Sequence, residues 1–266
     1  MPFALIGFFL ASNKYEFEWI ILIYVLLCMI FARSAAMAFN RYIDKDIDSK
    51  NPRTAQIREI PNGMVKANNA LVFVIMNSLL FISTTYLINK ICFFLSPIAL
   101  LIILGYSFTK RFTYLCHIAL GLSLSLSPIG AYLAVTGKFD FIPMLFSFVV
   151  LFWVSGFDII YSLQDEEFDK KNQLYSIPVL FGKKNALIFS KILHFFSIII
   201  LYQIGINQNF KILYWIGFSI FSFLLIYQHT LVKHNNLIKV NLAFFTTNGF
   251  ASVILGIFVI LELLIS

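Results

Sequence analysis

Charged residues and cysteines are scarce in this sequence of 266 residues, and both shortages exclude large classes of protein. Charged side chains make up only 12% of the chain, against about 25% in soluble domains. Hydrophobic residues make up 60%, and the mean hydropathy is +0.86. This excess of apolar surface excludes soluble enzymes, disordered tails and nucleic-acid-binding proteins and predicts an integral membrane protein. Cys28, Cys92 and Cys116 stand singly, which excludes a disulfide scaffold and a cysteine metal site.

Eight apolar stretches are long enough to cross a bilayer, which takes about 20 mostly apolar residues. They lie at 19–39, 70–88, 91–108, 113–136, 141–161, 186–205, 210–228 and 240–265. A shorter stretch at 3–11 lacks the basic segment and cleavage site of a signal peptide, and we interpret it as the end of a first helix. The expected fold is all-α: one domain over 1–266, forming a polytopic transmembrane bundle of about nine helices.

Basic residues are distributed unequally between the two sets of alternating loops. The loops after the second, fourth, sixth and eighth helices hold fourteen lysines and arginines, whereas the opposite loops hold four. Because cytoplasmic loops are enriched in positive residues, we expect the richer loops to face the cytoplasm. The net charge of +7 fits the same bias. The chain is therefore predicted to be a multi-pass protein of the cytoplasmic (inner) membrane.

Two acidic clusters lie on this predicted cytoplasmic side. Asn40, Asp44 and Asp48 are spaced four residues apart, so a continuing helix places them on one face. Oxygen ligands on one face suit Mg²⁺, above all when substrate phosphates complete its coordination shell. Asp165 and Asp169 repeat the four-residue spacing after the sixth helix. The alternative is that both clusters are solvated helix ends without a function.

Asp158 and Arg33 are ionisable residues placed deeper in predicted helices. Asp158 lies two helical turns before Asp165, where a carboxylate without a purpose is costly. Arg33 lies about two turns before Asn40 in an apolar helix, and a buried guanidinium there needs a partner. A substrate carboxylate or phenolate is one candidate, and an aspartate of the protein is the other.

Basic residues surround both acidic clusters. They are Arg53, Arg58, Lys110, Arg111, Lys170 and Lys171. Arginine and lysine beside a metal suit a diphosphate, although each residue alone also fits the general bias of cytoplasmic loops. A charged site at the mouth of an apolar bundle suits a substrate with a charged head and a long apolar tail. A polyprenyl diphosphate is one such molecule.

Four elements, in order along the chain, resemble motifs of the UbiA superfamily of intramembrane prenyltransferases. The pattern Asn-Asp-x-x-Asp-x-x-x-Asp is matched at 40–48, with Arg41 in the second place. The second aspartate-rich motif is matched by Asp158, Asp165 and Asp169, and a Tyr-x-x-x-Lys element by Tyr106 and Lys110. The arginine seven residues before the motif asparagine corresponds to Arg33. The resemblance covers essentially the whole chain.

The branch that acts on aromatic acids in quinone biosynthesis is the most similar one, on the segments Asn51-Pro52-Arg53-Thr54 and Tyr161-Ser162-Leu163-Gln164-Asp165. It includes 4-hydroxybenzoate polyprenyltransferases and relatives in the futalosine route to menaquinone. Haem O synthases share a similar first motif, but their usual Lys-Asp-Asp-Tyr second motif is absent here. A transporter is the alternative from another class, but its charged residues would recur near the membrane midplane, whereas these crowd one side.

The resemblance implies a Mg²⁺-dependent transfer of a polyprenyl group from polyprenyl diphosphate to an aromatic acid acceptor. It implies metal ligands at Asn40, Asp44, Asp48, Asp165 and Asp169. It implies substrate contacts from Arg33, Asn40, Arg53, Tyr106, Lys110 and Tyr161. Asp44, Asp165 and Lys110 are the implied catalytic residues, with Arg33 holding the acceptor. From its position, Asp158 is a further catalytic candidate, which either keeps the acceptor phenol deprotonated or accepts the ring proton. No obligate protein partner is expected.

Two features depart from the family pattern. Arg41 replaces a possible aspartate ligand and places a cation in the first motif. The chain also begins later than family members usually do, at Pro2-Phe3-Ala4-Leu5 within the expected first helix. Either the start codon is assigned too late or the first helix is shortened.

Overall fold

The computed structural model describes residues 1–265, and this part of the chain is built from α-helices. They are α1 (Pro2–Ser12), α2 (Trp19–Ile43), α3 (Lys45–Lys50), α4 (Ala67–Ile88), α5 (Lys90–Thr109), α6 (Cys116–Thr136), α7 (Phe141–Ser162), α8 (Glu166–Lys171), α9 (Ile177–Asn207), α10 (Ile212–Leu231) and α11 (Asn248–Ile265). Eight segments of residues 1–265 are long and apolar enough to cross a membrane. The all-α transmembrane bundle predicted from the apolar stretches is confirmed.

Helix α1 is too short to cross the bilayer alone. Its 11 residues extend about 16 Å, whereas the hydrocarbon core is about 30 Å thick. It packs against α6 and α11. Ala4, Ile6 and Phe8 are almost completely buried, so α1 is part of the core. The predicted first helix is therefore present, and its apolar face is inside the bundle.

Gly7→Ala is expected to destabilise the fold, because α1 packs directly against the backbone of α6 at this residue. A Cβ atom at Gly7 would lie 2.0 Å from the carbonyl oxygen of Pro128. That oxygen belongs to the backbone of α6, so the two helices would have to separate, at a cost of about 1–3 kcal/mol. Thermal unfolding in detergent would measure the effect as a lower Tm.

Gly130→Ala is the matched control for this prediction, since Gly130 lies on α6 two residues after Pro128. A Cβ atom there meets nothing within 4 Å, and we expect no loss of stability. Equal Tm values for the two variants would contradict the close contact at Gly7.

Helix α7 is central to the bundle and carries one of the acidic clusters at its end. It packs most extensively against α6 and α9. Phe146, Val149 and Val154 on α7 are fully buried in the main core. The helix continues through a 3₁₀ turn, Leu163–Asp165, into the short helix α8. Core packing of α7 therefore positions Asp158 and Asp165 at one end of the bundle.

Helix α9 begins nine residues earlier than the apolar pattern predicts. Ser176 caps it by accepting a hydrogen bond from the backbone N–H of Val179, and Pro178 is compatible with a first turn. Gly182 has φ +74°, which interrupts the regular helix between this first turn and the apolar segment. The early start brings the N-terminus of α9 to the end of the bundle that holds the acidic clusters.

Candidate active site

A cavity of about 240 Å³ lies at this end of the bundle. Nine of the residues predicted to form a site line it: Asn40, Asp44, Asp48, Arg53, Tyr106, Lys110, Asp158, Tyr161 and Asp165. They come from three segments that are distant in the sequence, 40–53, 106–110 and 158–165. The tertiary structure therefore brings both acidic clusters and the basic loops around one space.

The first acidic cluster forms one wall of the cavity. Helix α2 ends at Ile43 and α3 begins at Lys45, so the helix is interrupted at Asp44. The four-residue spacing survives, because the backbone N–H of Asp48 donates to the carbonyl of Asp44 at 2.7 Å. The Asn40 amide Nδ2 donates to Asp44 Oδ2 at 2.9 Å, and its Oδ1 accepts from Arg41 Nη1 at 3.1 Å. Asn40 thus orients Asp44, and Arg41 orients Asn40.

The opposite wall is formed by the end of α7 and the 3₁₀ turn. Asp158, Tyr161 and Asp165 line it, and the side chain of Asp165 is 10% exposed. Phe244 stacks on Tyr161 with ring centroids 4.1 Å apart. This Phe belongs to the π-helical segment Leu242–Thr247 that precedes α11. The wall therefore changes from carboxylate to aromatic along its length.

Arg53 joins the loop after α3 to this second wall. Its Nε donates to Asp165 Oδ1 at 2.9 Å, its Nη2 pairs with Asp165 Oδ2, and its Nη1 donates to the Tyr161 hydroxyl at 2.9 Å. Asn51 Nδ2 adds a hydrogen bond of 3.0 Å to Asp165 Oδ1. A bidentate contact of this kind between a guanidinium and a carboxylate is strong and directional. The loop is therefore held across the cavity by Asp165.

The four aspartates predicted as metal ligands each face a basic side chain. The pairs are Asp44 with Arg111 at 2.9 Å, Asp48 with Arg58 at 3.9 Å, Asp169 with Lys110 at 2.8 Å, and Asp165 with Arg53. Buried carboxylates are stable only when such partners compensate their charge. The basic side chains of these pairs, the arginines above all, also bind phosphate oxygens well.

Burial shifts the pKa values of charged groups around the cavity. It raises the pKa of the Asp44 carboxyl above its ordinary value, and the nearby Arg111 offsets only part of the effect. Burial raises the pKa of Asp48 in the same way. For Lys110, burial acts to lower the pKa, but the neighbouring carboxylates, Asp169 above all, outweigh it and raise the pKa. Asp44 and Asp48 therefore lack full charge compensation, which a further cation could supply.

Two residues predicted for the site do not line the cavity. Asp169 is completely buried on α8 and faces Lys110, so Asp165 and Asp169 do not share one exposed face. The 3₁₀ turn before α8 changes the helical phase between them. Arg33, predicted to be buried, is instead exposed on α2. Among residues 1–265 no hydrogen bond or ion pair to Arg33 is formed, so an aspartate partner is excluded there.

His117, Phe244 and Asn51 are among the cavity residues that were not predicted as site residues from the sequence. His117 on α6 lies 2.6 Å from Asp158, although a single histidine at the start of an apolar run carried no signal. Phe244 could not be distinguished from the many other phenylalanines of the apolar helices. Asn51 lies beside Arg53, and its side chain is directed at Asp165.

The donor atoms around the cavity fit a hard divalent cation. Within residues 1–265, no three Asp, Glu, His or Cys side chains converge into a ready-made metal site. Asp44, Asp48 and Asp165 nevertheless offer only oxygen ligands to one space, which suits Mg²⁺. The buried Asp44 Oδ1 has no aligned hydrogen bond. A bound metal ion would compensate the charge of the carboxylates, and a diphosphate bound with it would compensate the charge of their basic partners.

The sequence and the fold are similar to those of known proteins. The sequence matches the UbiA prenyltransferase family over residues 1–254. It is 32% identical over 227 residues to a 4-hydroxybenzoate octaprenyltransferase of Vesicomyosocius okutanii subsp. Calyptogena okutanii, covering 85% of this chain and 82% of that protein. A UbiA homologue from Aeropyrum pernix K1 has a similar structure, with a TM-score of 0.88, 27% identity and coverage of 98% of this chain and 97% of that one.

A UbiA homologue from Archaeoglobus fulgidus shares the fold at 19% identity, with a TM-score of 0.72 and coverage of 100% of this chain and 96% of that one. The helical membrane bundle and its charged cavity define an intramembrane transferase. The chain belongs to the UbiA prenyltransferase family and is a prenyltransferase.

Proposed function

We propose that this enzyme transfers a polyprenyl group from a polyprenyl diphosphate to 4-hydroxybenzoate in quinone biosynthesis. The observation that carries the proposal is a single cavity in which acidic and basic side chains meet at the end of an apolar bundle. The basic groups suit the diphosphate, and the apolar helices suit the prenyl chain. Relatives named 4-hydroxybenzoate octaprenyltransferase favour this acceptor over the dihydroxynaphthoates of menaquinone biosynthesis.

Mg²⁺ is the proposed cofactor. The Archaeoglobus fulgidus homologue was solved with DMAPP and Mg²⁺, which supports a metal-dependent reaction here. Asp44, Asp48 and Asp165 are proposed as ligands, with Asn40 assisting. Asp169, also predicted as a ligand, faces Lys110 and holds that lysine at the cavity. When bound, the ion supplies Lewis-acid stabilisation of the charge on the diphosphate.

The proposed reaction uses side chains from both walls of the cavity. Arg53 and Lys110 bind oxygens of the diphosphate and stabilise the negative charge that develops as the allylic C–O bond breaks. The electron pair of that bond leaves with the diphosphate. The ring carbon next to the acceptor hydroxyl forms the new C–C bond, and Asp158 accepts the proton that this carbon loses. The apolar bundle excludes water, which would otherwise quench the allylic cation.

The charged end of the bundle is proposed to face the cytoplasm. Support comes from the loops at this end, which hold most of the lysines and arginines of the chain. A bacterial inner-membrane location would place the cavity next to soluble aromatic acids and allow the prenyl chain to enter from the lipid. Arg33 is exposed on α2 and does not line the cavity, so the predicted contact with the acceptor carboxylate is not part of the proposed site.

Activity assays on membranes that contain the chain test this proposal. Radiolabelled polyprenyl diphosphate and Mg²⁺ are supplied with one acceptor at a time: 4-hydroxybenzoate, 1,4-dihydroxy-2-naphthoate, 1,4-dihydroxy-6-naphthoate or haem B. We expect a prenylated lipid with 4-hydroxybenzoate that disappears when EDTA is added. Product with a naphthoate alone would overturn the acceptor, and product with haem alone would identify a haem O synthase. Ion flux in proteoliposomes without any product would favour a transporter.

A further inference from the structure

His117 and Asp158 form a hydrogen-bonded pair that borders the proposed reaction site. His117 Nδ1 lies 2.6 Å from Asp158 Oδ2. The imidazole is 3% exposed, whereas the side chain of Asp158 is 21% exposed, and both residues line the cavity. His117 lies in the first turn of α6 and Asp158 in the last part of α7. The pair therefore joins two helices at the boundary between the core and the cavity.

The hydrogen bond at Nε2 of His117 determines which ring nitrogen carries the proton. The backbone N–H of Ile177 donates to Nε2 at 3.3 Å. Ile177 is the first residue of α9, and amides at this position have no acceptor within their own helix. Because Nε2 accepts this hydrogen bond, it carries no proton, and the neutral ring is protonated at Nδ1. His117 Nδ1–H therefore donates to the Asp158 carboxylate.

This contact occupies one oxygen of Asp158 and leaves the other available. In residues 1–265 the hydrogen bond from His117 is the only one that Asp158 makes. One carboxylate oxygen is thus held against the buried imidazole, and the second is free for a group in the cavity. A histidine held between a backbone amide and a carboxylate has one orientation, and so does the carboxylate it contacts.

We propose that His117 is a positioning residue that holds Asp158 as the proton acceptor of the prenyl transfer, an inference that rests on the proposed function. As the C–C bond forms and diphosphate leaves, the proton of the substituted ring carbon moves to the free oxygen of Asp158. The C–H electron pair restores the aromatic ring. His117 keeps its own proton throughout and touches neither substrate.

Two substitutions at His117 separate this role from simple packing. His117→Leu keeps most of the volume but removes the donor, whereas His117→Asn retains an N–H close to the position of Nδ1. We expect kcat to fall about 10- to 100-fold in His117→Leu, the range seen when orienting partners are lost, with the KM for polyprenyl diphosphate unchanged. His117→Asn is expected to recover most of kcat. Equal loss in both variants, or a normal kcat in His117→Leu, would overturn the proposal.

A spectroscopic measurement tests the pair independently of turnover. In protein labelled with ¹⁵N-histidine, the signals of His117 are identified by their loss in His117→Asn. We expect a neutral ring protonated at Nδ1, with a Nδ1 signal that shifts in Asp158→Asn. A ring protonated at Nε2 or at both nitrogens would overturn the proposal. If the wild type gives no product with any acceptor, the proposed function fails, and this measurement still decides whether His117 holds Asp158.

Discussion

Asp44→Asn is expected to lower kcat for prenyl transfer by about 1,000-fold, or about 4 kcal/mol of transition-state stabilisation. The change removes one negative charge from the wall of the cavity and leaves the size of the side chain almost unchanged. Asp44 accepts a hydrogen bond from Asn40 and faces Arg111, so it is the best-positioned oxygen ligand of the first cluster. Initial rates at several Mg²⁺ concentrations would measure both kcat and the metal requirement.

Asp46→Asn is the matched control for this substitution. Asp46 lies between Asp44 and Asp48 in the sequence, but its side chain is exposed and does not line the cavity. The control should retain wild-type kcat and membrane insertion. If Asp44→Asn also retains near-normal turnover at low Mg²⁺, Asp44 is not a metal ligand.

Arg53→Gln is expected to reduce kcat/KM for polyprenyl diphosphate by about 100-fold. This corresponds to about 3 kcal/mol, the magnitude of a hydrogen bond to a charged group. Arg53 bridges Asp165 and Tyr161, and the proposed mechanism requires the same guanidinium to bind diphosphate oxygens. Glutamine can replace one hydrogen bond but neither the charge nor the paired donors. Steady-state kinetics with the donor varied at saturating acceptor would measure the loss.

Lys50→Gln removes the same charge from a neighbouring exposed position and should leave kcat/KM unchanged. The KM for the aromatic acceptor is expected to change little in either variant. A lower Tm with normal donor kinetics in Arg53→Gln would mean that Arg53 only ties the loop to Asp165.

The spanning helices were largely predictable because the bilayer imposes a simple requirement on the sequence. Each crossing needs a long apolar run, and the predicted run at 141–161 agrees closely with α7 (Phe141–Ser162). Prediction was weaker where local polar groups start a helix. Ser176 and Pro178 start α9 before the apolar run. Gly182 interrupts the regular helix, so the sequence does not show that this first turn is continuous with the apolar segment.

The acidic clusters were identifiable because carboxylates beside membrane helices are rare and costly. Their exact partners were not identifiable, since ion pairs such as Asp169 with Lys110 join segments that are distant in sequence. The burial of Arg33 could not be predicted from the sequence either. Its position in an apolar run predicts burial, but α2 turns that residue outward.

By itself, the sequence determined a multi-pass helical membrane protein with acidic and basic clusters near helix ends, because composition and spacing act locally. The tertiary structure decided which charges face each other and which of them reach the cavity. It also paired His117 with Asp158, which lie 41 residues apart, and brought the first amide of α9 to the same ring. Such contacts depend on how the helices pack and rotate against one another, and no periodicity along a single segment encodes that rotation.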